Sequence, residues 1–167
     1  MTYLEIDKAI VDITKEKCVE CKTRLDSIPK EKSTERKALQ LEYGMYTFCG
    51  NAGVMINGRD RSKVLEIRKR FLEEAKSKYP CVNDVYGKLN DEEKLNLVAA
   101  LQAEMYIREY WLGTQYSELA SAEASGDINK IFEFKIKMGA ALNMLTAWEN
   151  WRVKNGVYPN MFVEVEI

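Results

Sequence analysis

The side chains available for chemistry in this sequence are cysteines and carboxylates, because the chain has four cysteines and no histidine. Histidine is the only side chain whose unperturbed charge changes between about pH 5 and 8, and it is the commonest metal ligand. Its absence excludes ferritin-like di-metal bundles and catalytic triads with a histidine base. We therefore expect no cofactor, and the sequence favours a protein that is not an enzyme.

The closest cysteine pair, Cys18 and Cys21, has a spacing that is typical of zinc ligands and of redox-active thiols. Structural zinc is tetrahedral, so Cys49 and Cys81 would have to complete the site, and those two do not form a second close pair. A redox pair is favoured by a helix N-terminus, whereas this pair comes late in a predicted helix. We therefore interpret the cysteines as core or boundary residues, with a metal site as the weak alternative.

Acidic residues are concentrated between residues 91 and 133, where nine acidic side chains accompany three basic ones. Converging carboxylates can hold Mg²⁺, as in all-helical nucleotide pyrophosphohydrolases, which use glutamates one turn apart on two helices. Such pairs are missing here, because Glu104 and Glu109 point about 140° apart on a helix. A magnesium-dependent nucleotide phosphohydrolase is therefore the second alternative function. A solvated face, or a face for a basic partner, explains the acidic residues more simply.

Basic residues are concentrated between residues 57 and 78, where eight basic side chains accompany four acidic ones. Several precede or open a predicted helix, where backbone N–H groups attract anions. Nucleic-acid or phosphate binding is therefore the first alternative function, although a solvated face with pairs such as Glu66 and Arg70 is the simpler interpretation. The candidate contact residues are Arg59, Arg61, Lys63, Arg68, Lys69 and Arg70.

Aromatic residues cluster towards the end of the chain, and core packing explains most of them. Some lie partly off the apolar stripe of their helix and next to acidic residues, which is typical of protein interfaces. Two tryptophans three residues apart could flank one groove. The predicted interface residues are Glu104, Tyr106, Glu109, Tyr110, Trp111, Trp148 and Trp151.

Apolar residues recur at helical spacing almost from end to end, which predicts an all-α fold. Short connections between long segments indicate a single domain, residues 1–167, built as a bundle of about five amphipathic helices. Asn90 followed by Glu93 is a capping-box signal for a helix start. Alternation of apolar and acidic residues near the C-terminus predicts a short extended tail. The predicted helices are 3–28, 35–56, 62–79, 91–120 and 128–154, followed by the tail, 158–167.

The faces of these helices follow from the same spacing. Met45 and Phe48 fall on the predicted core face of the second helix, and Leu112 and Tyr116 fall on that of the fourth. Glycines at 44, 50, 53 and 58 weaken the second helix, since glycine costs about 1 kcal/mol against alanine in a helix. We therefore expect either a break near Gly50 or a close approach of two backbones there.

The bulk properties favour a protein of the cytosol. The formal net charge is −1, which indicates neither a nucleic acid nor an anionic membrane as the general partner. The longest aliphatic stretch is too short to span a bilayer, and the N-terminus has no apolar signal segment. We therefore predict a non-enzymatic helical protein–protein interaction module that binds a partner or a copy of itself. Small regulators of phages and mobile elements, including inhibitors of host complexes, are an analogy based on composition.

Overall fold

The computed structural model describes residues 2–56, 61–78 and 81–157, and all regular structure in those ranges is helical. The all-α prediction is confirmed, whereas the predicted extended tail, 158–167, lies outside the described residues. The helices are α1 (Tyr3–Ser27), α2 (Ser33–Ile56), α3 (Arg61–Lys78), α4 (Cys81–Tyr86), α5 (Asp91–Met105), a π-helical segment (Tyr106–Leu112), α6 (Gly113–Ser125) and α7 (Ile128–Lys154).

The ends of the helices follow from local sequence. The Asn90 side chain accepts a hydrogen bond from the Glu93 N–H at 2.9 Å, and the Glu93 carboxylate accepts one from the Asn90 N–H at 2.8 Å. This reciprocal pair satisfies donors that a helix start leaves unpaired, so the predicted capping box is confirmed. Gly126 ends α6 in the left-handed conformation, with φ of 68°, which glycine adopts without strain.

Helix α5 is the central helix of the bundle, because nine consecutive residues, Leu97–Met105, are buried. A helix that is buried on every side has apolar residues all round, and here they are mostly leucine and alanine. It packs against α1 and α3, while α1 pairs with α2, α6 pairs with α7, and α7 also packs against α2. Two polar residues, Gln102 and Glu104, lie within this buried stretch and therefore need partners.

The predicted helix 91–120 is three consecutive elements, since a π-helical segment separates α5 from α6. The prediction that Leu112 and Tyr116 share a core face is wrong for Tyr116, which is 54% exposed. A π-helical turn holds more residues than an α-helical turn, so it rotates every following side chain about the helix axis. The buried residues after the segment are instead Gln115, Leu119 and Ala122.

Helix α2 has a different core face from the predicted one. Phe48 is 55% exposed, whereas Met45, Tyr46 and Cys49 are buried. The reason is that α2 packs against both α1 and α7, which centres its buried face on Tyr46 and Cys49. At Gly50 the helix continues, so the predicted break is wrong. The neighbour at Gly50 is the side chain of Thr14 on α1 and not a second backbone, since a Cβ there would lie 2.9 Å from Thr14 Cγ2.

Candidate functional site

Three of the predicted interface residues belong to the core. Glu104 and Trp148 are 0% exposed and Trp111 is also buried, so the prediction that they face a partner is wrong. Glu104 lies in the stretch Leu97–Met105 of α5, where every side chain is buried against the neighbouring helices. The two tryptophans supply large apolar surfaces that the bundle needs in its interior.

The other predicted interface residues lie nearer the surface. Tyr106 is half-buried, with its ring centroid 6.4 Å from that of Trp111. Trp151 is half-buried and stacks on Trp148, with ring centroids 5.5 Å apart. Glu109 forms an ion pair with Lys78 of α3. The side chain of Tyr110 lies outside the described part of the structure, so its predicted role stays a prediction.

Glu104 is the buried centre of an ionic cluster that reaches the surface at Arg108 and Glu149. We define this Glu104 cluster as Glu104, Arg108, Trp148, Glu149 and Arg152. Arg108 Nε donates to Glu104 Oε1 at 2.7 Å, and the indole Nε1 of Trp148 donates to Glu104 Oε2 at 2.5 Å. Arg152 Nε lies 3.8 Å from the same Oε2, and Arg108 also donates to Glu149. The Glu104 cluster therefore joins α5, the π-helical segment and α7.

The chemistry of the Glu104 cluster is structural. Its two carboxylates and two guanidiniums balance in charge, and both oxygens of Glu104 are engaged by donors. A carboxylate that is occupied in this way is poorly placed to act as a general base or a metal ligand. Among the side chains that the structure describes, which do not include that of Cys81, no three cysteine or acidic groups lie close enough together to hold a metal ion. The magnesium hypothesis therefore has no ligand set in this part of the chain.

Arg68 of the predicted basic segment is buried instead of exposed, so it is not available to a nucleic acid. Its guanidinium forms an ion pair with the buried carboxylate of Asp7 and donates through Nε to Gln102 Oε1 at 3.1 Å. The Tyr3 ring also lies against it, at 5.6 Å. Burial raises the pKa of Asp7, and Arg68 opposes that rise. This arrangement, the Asp7–Arg68–Gln102 cluster, joins α1, α3 and α5.

The remaining basic candidates are only partly described. Lys69 and Arg70 are exposed on α3. The structure describes the backbone but not the side chains of Arg61 and Lys63, and Arg59 lies outside the described residues. Lys69 lines an open groove of about 520 Å³ between α3, α4 and α5. In this groove the ammonium groups of Lys76 and Lys94 lie 5.0 and 5.2 Å from the centroid of the Tyr86 ring.

Three of the four cysteines, Cys18, Cys21 and Cys49, lie between α1 and α2 as core and boundary residues, whereas the side chain of Cys81 lies outside the described part of the structure. Cys21 is buried and donates through Sγ to the carbonyl oxygen of Leu39, at 3.3 Å. Burial raises the pKa of Cys21 to about 11, and it raises the pKa of the fully buried Cys49 as well. Both thiols therefore stay protonated near neutral pH in the metal-free protein, and a protonated thiol is a poor nucleophile. The zinc or redox role for Cys18 and Cys21 has no support in this geometry.

A second groove, between α2, α6 and α7, combines an exposed aromatic ring with a buried amide. Its volume is about 430 Å³, within the range of about 300–1,000 Å³ that is usual for ligand sites. Phe48 lies exposed in its wall, whereas Gln115 is only 7% exposed. Oε1 of Gln115 is buried and accepts no hydrogen bond from any residue that the structure describes. The lining residues are Gln40, Leu41, Gly44, Met45, Phe48, Gln115 and Lys137.

The wall of this groove is held in place by a hydrogen bond between α2 and α7. The buried hydroxyl of Tyr46 donates to Glu42 Oε1 at 2.8 Å and accepts from Asn143 Nδ2 at 3.1 Å. Burial raises the pKa of Tyr46, so the hydroxyl keeps its proton and its role as a donor. The hydrogen bond between Asn143 and Tyr46 joins α2 to α7, the helices that carry Phe48 and Lys137 in the groove wall.

Reasoning from the sequence missed this groove for two reasons. Phe48 has the spacing of a core residue, and only the competing packing of α1 and α7 on α2 turns it outwards. Gln115 is buried only because the π-helical segment changes the phase of α6. The sequence nevertheless held one signal for the groove. Gly44 lies one helical turn before Phe48, so the helix face that carries Phe48 lacks a side chain there.

Comparisons of the chain with protein-family models, with curated proteins and with solved structures found no match. None of the helices in the described ranges combines the length and the apolar character that crossing a membrane requires.

Proposed function

We propose that this protein is a non-enzymatic binding module that docks a protein partner in the groove between α2, α6 and α7. The observation that carries the proposal is the exposed ring of Phe48 beside the buried, unsatisfied amide oxygen of Gln115. Exposed aromatic residues next to a preformed pocket are typical anchor points of protein interfaces. The ionic clusters, by contrast, are internal and supply stability instead of recognition.

The charge of the groove favours a protein partner over a nucleic acid. Lys137 is the one charged residue among the described residues that line it, and its ammonium lies 2.6 Å from Glu133 Oε1. Nucleic-acid binding depends on cations that are free to contact phosphates. A nearly neutral groove with apolar walls instead suits apolar side chains on one face of a partner helix. As part of the same proposal the protein acts in the cytosol, which the free thiols of Cys18, Cys21 and Cys49 support.

Replacing Phe48 with alanine is expected to weaken partner binding by about tenfold or more, as loss of a central aromatic anchor does. The full-length chain is tagged in its native host, its partner is identified, and the affinity of the purified pair is measured by calorimetry. Leu4→Ala is the matched control, because Leu4 is 63% exposed and lies on α1, away from the lining residues.

The proposal fails if Phe48→Ala and Leu4→Ala bind the partner equally well. If the chain forms a dimer that Phe48→Ala dissociates, the groove binds a second copy of this chain, and the proposal of a different partner protein is wrong. Sedimentation of the wild-type chain over a range of concentrations distinguishes these results.

Nucleic-acid binding is the second candidate function, and the groove between α3, α4 and α5 favours it. Lys69, Lys76 and Lys94 line this groove around Tyr86, and cations beside an aromatic ring are typical of sites for single strands. Glu73 and Asp91 line it too and reduce its positive charge, so we rank it second. We expect weak binding of short RNA that is lost on Lys94→Ala and falls steeply with added salt. Fluorescence anisotropy checks this, and unchanged binding by Lys94→Ala would exclude this groove.

A further inference from the structure

The amide oxygen of Gln115 is an unused acceptor in the wall of the groove between α2, α6 and α7. It accepts no hydrogen bond from the residues that the structure describes, and the side chain is more than nine-tenths buried. A buried polar atom without a partner destabilises the folded state. A leucine at this position would carry no such penalty. The glutamine therefore lowers the stability of the free protein, and a hydrogen-bond donor on a bound partner would restore that stability.

The surroundings of Gln115 limit the chemistry of an occupant. Met45 and Phe48 offer apolar contacts, and nothing lies within 4 Å of the position that a Cβ on Gly44 would take. The missing side chain leaves room for a bulky group beside α2. Lys137 is paired with Glu133, and its ammonium also lies 5.4 Å from the Phe134 ring. The groove therefore suits an apolar ring with one hydrogen-bond donor, and it does not suit an anion.

We infer that the groove selects an aromatic side chain that carries a hydrogen-bond donor, an indole or a phenol, on the partner protein. This inference rests on the proposed function and specifies the chemistry of its anchor. The ring packs against Phe48 in the space beside Gly44, and its N–H or O–H donates to Gln115 Oε1. Oε1 is buried in the free protein, and because the terminal torsion of a glutamine is broad, rotation of the amide can bring this oxygen to the occupant. Tryptophan and tyrosine are the residues that most often dominate interface affinity in this way.

The inference is tested with two small probes that differ in one donor. Indole and 1-methylindole are titrated separately into the ¹⁵N-labelled full-length chain, and amide shifts are followed along α2 and α6. Indole is expected to bind about fivefold more tightly, because only indole can donate to a buried amide oxygen. Gln115→Leu is expected to bind both probes equally, which separates the hydrogen bond from the extra bulk of the methyl group.

The outcomes separate this inference from the proposed function. Gln115→Leu should keep or raise the melting temperature, since it removes an unsatisfied acceptor, and Gln115→Met serves if the leucine variant does not fold. Equal binding of both probes to the wild-type chain, or binding of neither, would overturn the donor-selective anchor. The proposed function would still stand in that case if Phe48→Ala loses the partner. If Phe48→Ala retains the partner fully, the proposed function itself is wrong.

Discussion

Replacing Glu104 with alanine is expected to lower the free energy of unfolding by about 3–5 kcal/mol, as removal of one member of a buried ion pair does. The variant takes the carboxylate from Arg108 and Arg152, and it also takes the acceptor from the buried indole N–H of Trp148. For a chain of this size the loss corresponds to a melting temperature lower by about 6–20 °C. Urea unfolding followed by circular dichroism measures it.

Glu149→Ala is the matched control for Glu104→Ala. Glu149 contacts the same Arg108 guanidinium, but its side chain is 35% exposed, so its removal should cost about 1 kcal/mol or less. Glu104→Gln keeps an acceptor for Trp148 and should fall between the two, which also covers the case in which the alanine variant does not fold. Equal costs for Glu104→Ala and Glu149→Ala would contradict the central place of Glu104 in the cluster.

The second large effect is expected for Arg68→Leu, which should cost about 3–5 kcal/mol near pH 7. The variant leaves the buried carboxylate of Asp7 without this guanidinium and Gln102 Oε1 without its donor. Burial already raises the pKa of Asp7, and loss of Arg68 raises it further. The Asp7 carboxyl then holds its proton more tightly in the folded state than in the unfolded state. The free energy of unfolding of the variant therefore rises as pH falls from the raised pKa of folded Asp7 to the pKa of unfolded Asp7, about 4.

The double variant Asp7→Leu with Arg68→Leu provides the control for this prediction. Replacing a buried ion pair by apolar residues is often neutral, so the double variant should regain most of the stability that Arg68→Leu loses. Its stability should also lack the recovery at low pH. Urea unfolding of both variants between pH 4 and pH 7 tests these expectations. If the deficit of Arg68→Leu were independent of pH, the carboxylate of Asp7 would not be its source.

The helices could be predicted from sequence because their signals are local. The capping pair Asn90 and Glu93 marks the start of α5, and Gly126 marks the end of α6. The faces of α1 also follow from spacing, with Ile6, Ile10 and Ile13 buried as expected. Periodicity fails where an element packs on several sides, as for α5, or where the helix changes type, as it does before α6.

The site could not be predicted because its residues are set by tertiary packing. Charge counting assigned Glu104 and Arg68 to surface faces, whereas Glu104 meets Trp148, and Arg68 meets Asp7, across helices distant in sequence. Once α5 is known to be the central helix, Glu104 can be recognised as a buried charge that needs partners. Phe48 and Gln115 line the same groove because α2 and α6 both pack against α7. Neither the separation of these two residues in sequence nor their types indicate that arrangement.

Photo-crosslinking from position 48 in the native host tests most directly whether the groove between α2, α6 and α7 docks a protein. Phe48 is replaced by p-benzoylphenylalanine in the full-length chain, and position 4 carries the same group in the control, since both side chains are exposed. If the groove docks a protein, position 48 gives one discrete adduct with a partner protein and position 4 gives none. The adduct from position 48 is weaker when Gln115→Leu is added. No discrete adduct from position 48, or the same adducts from both positions, would contradict the claim that this groove docks a protein.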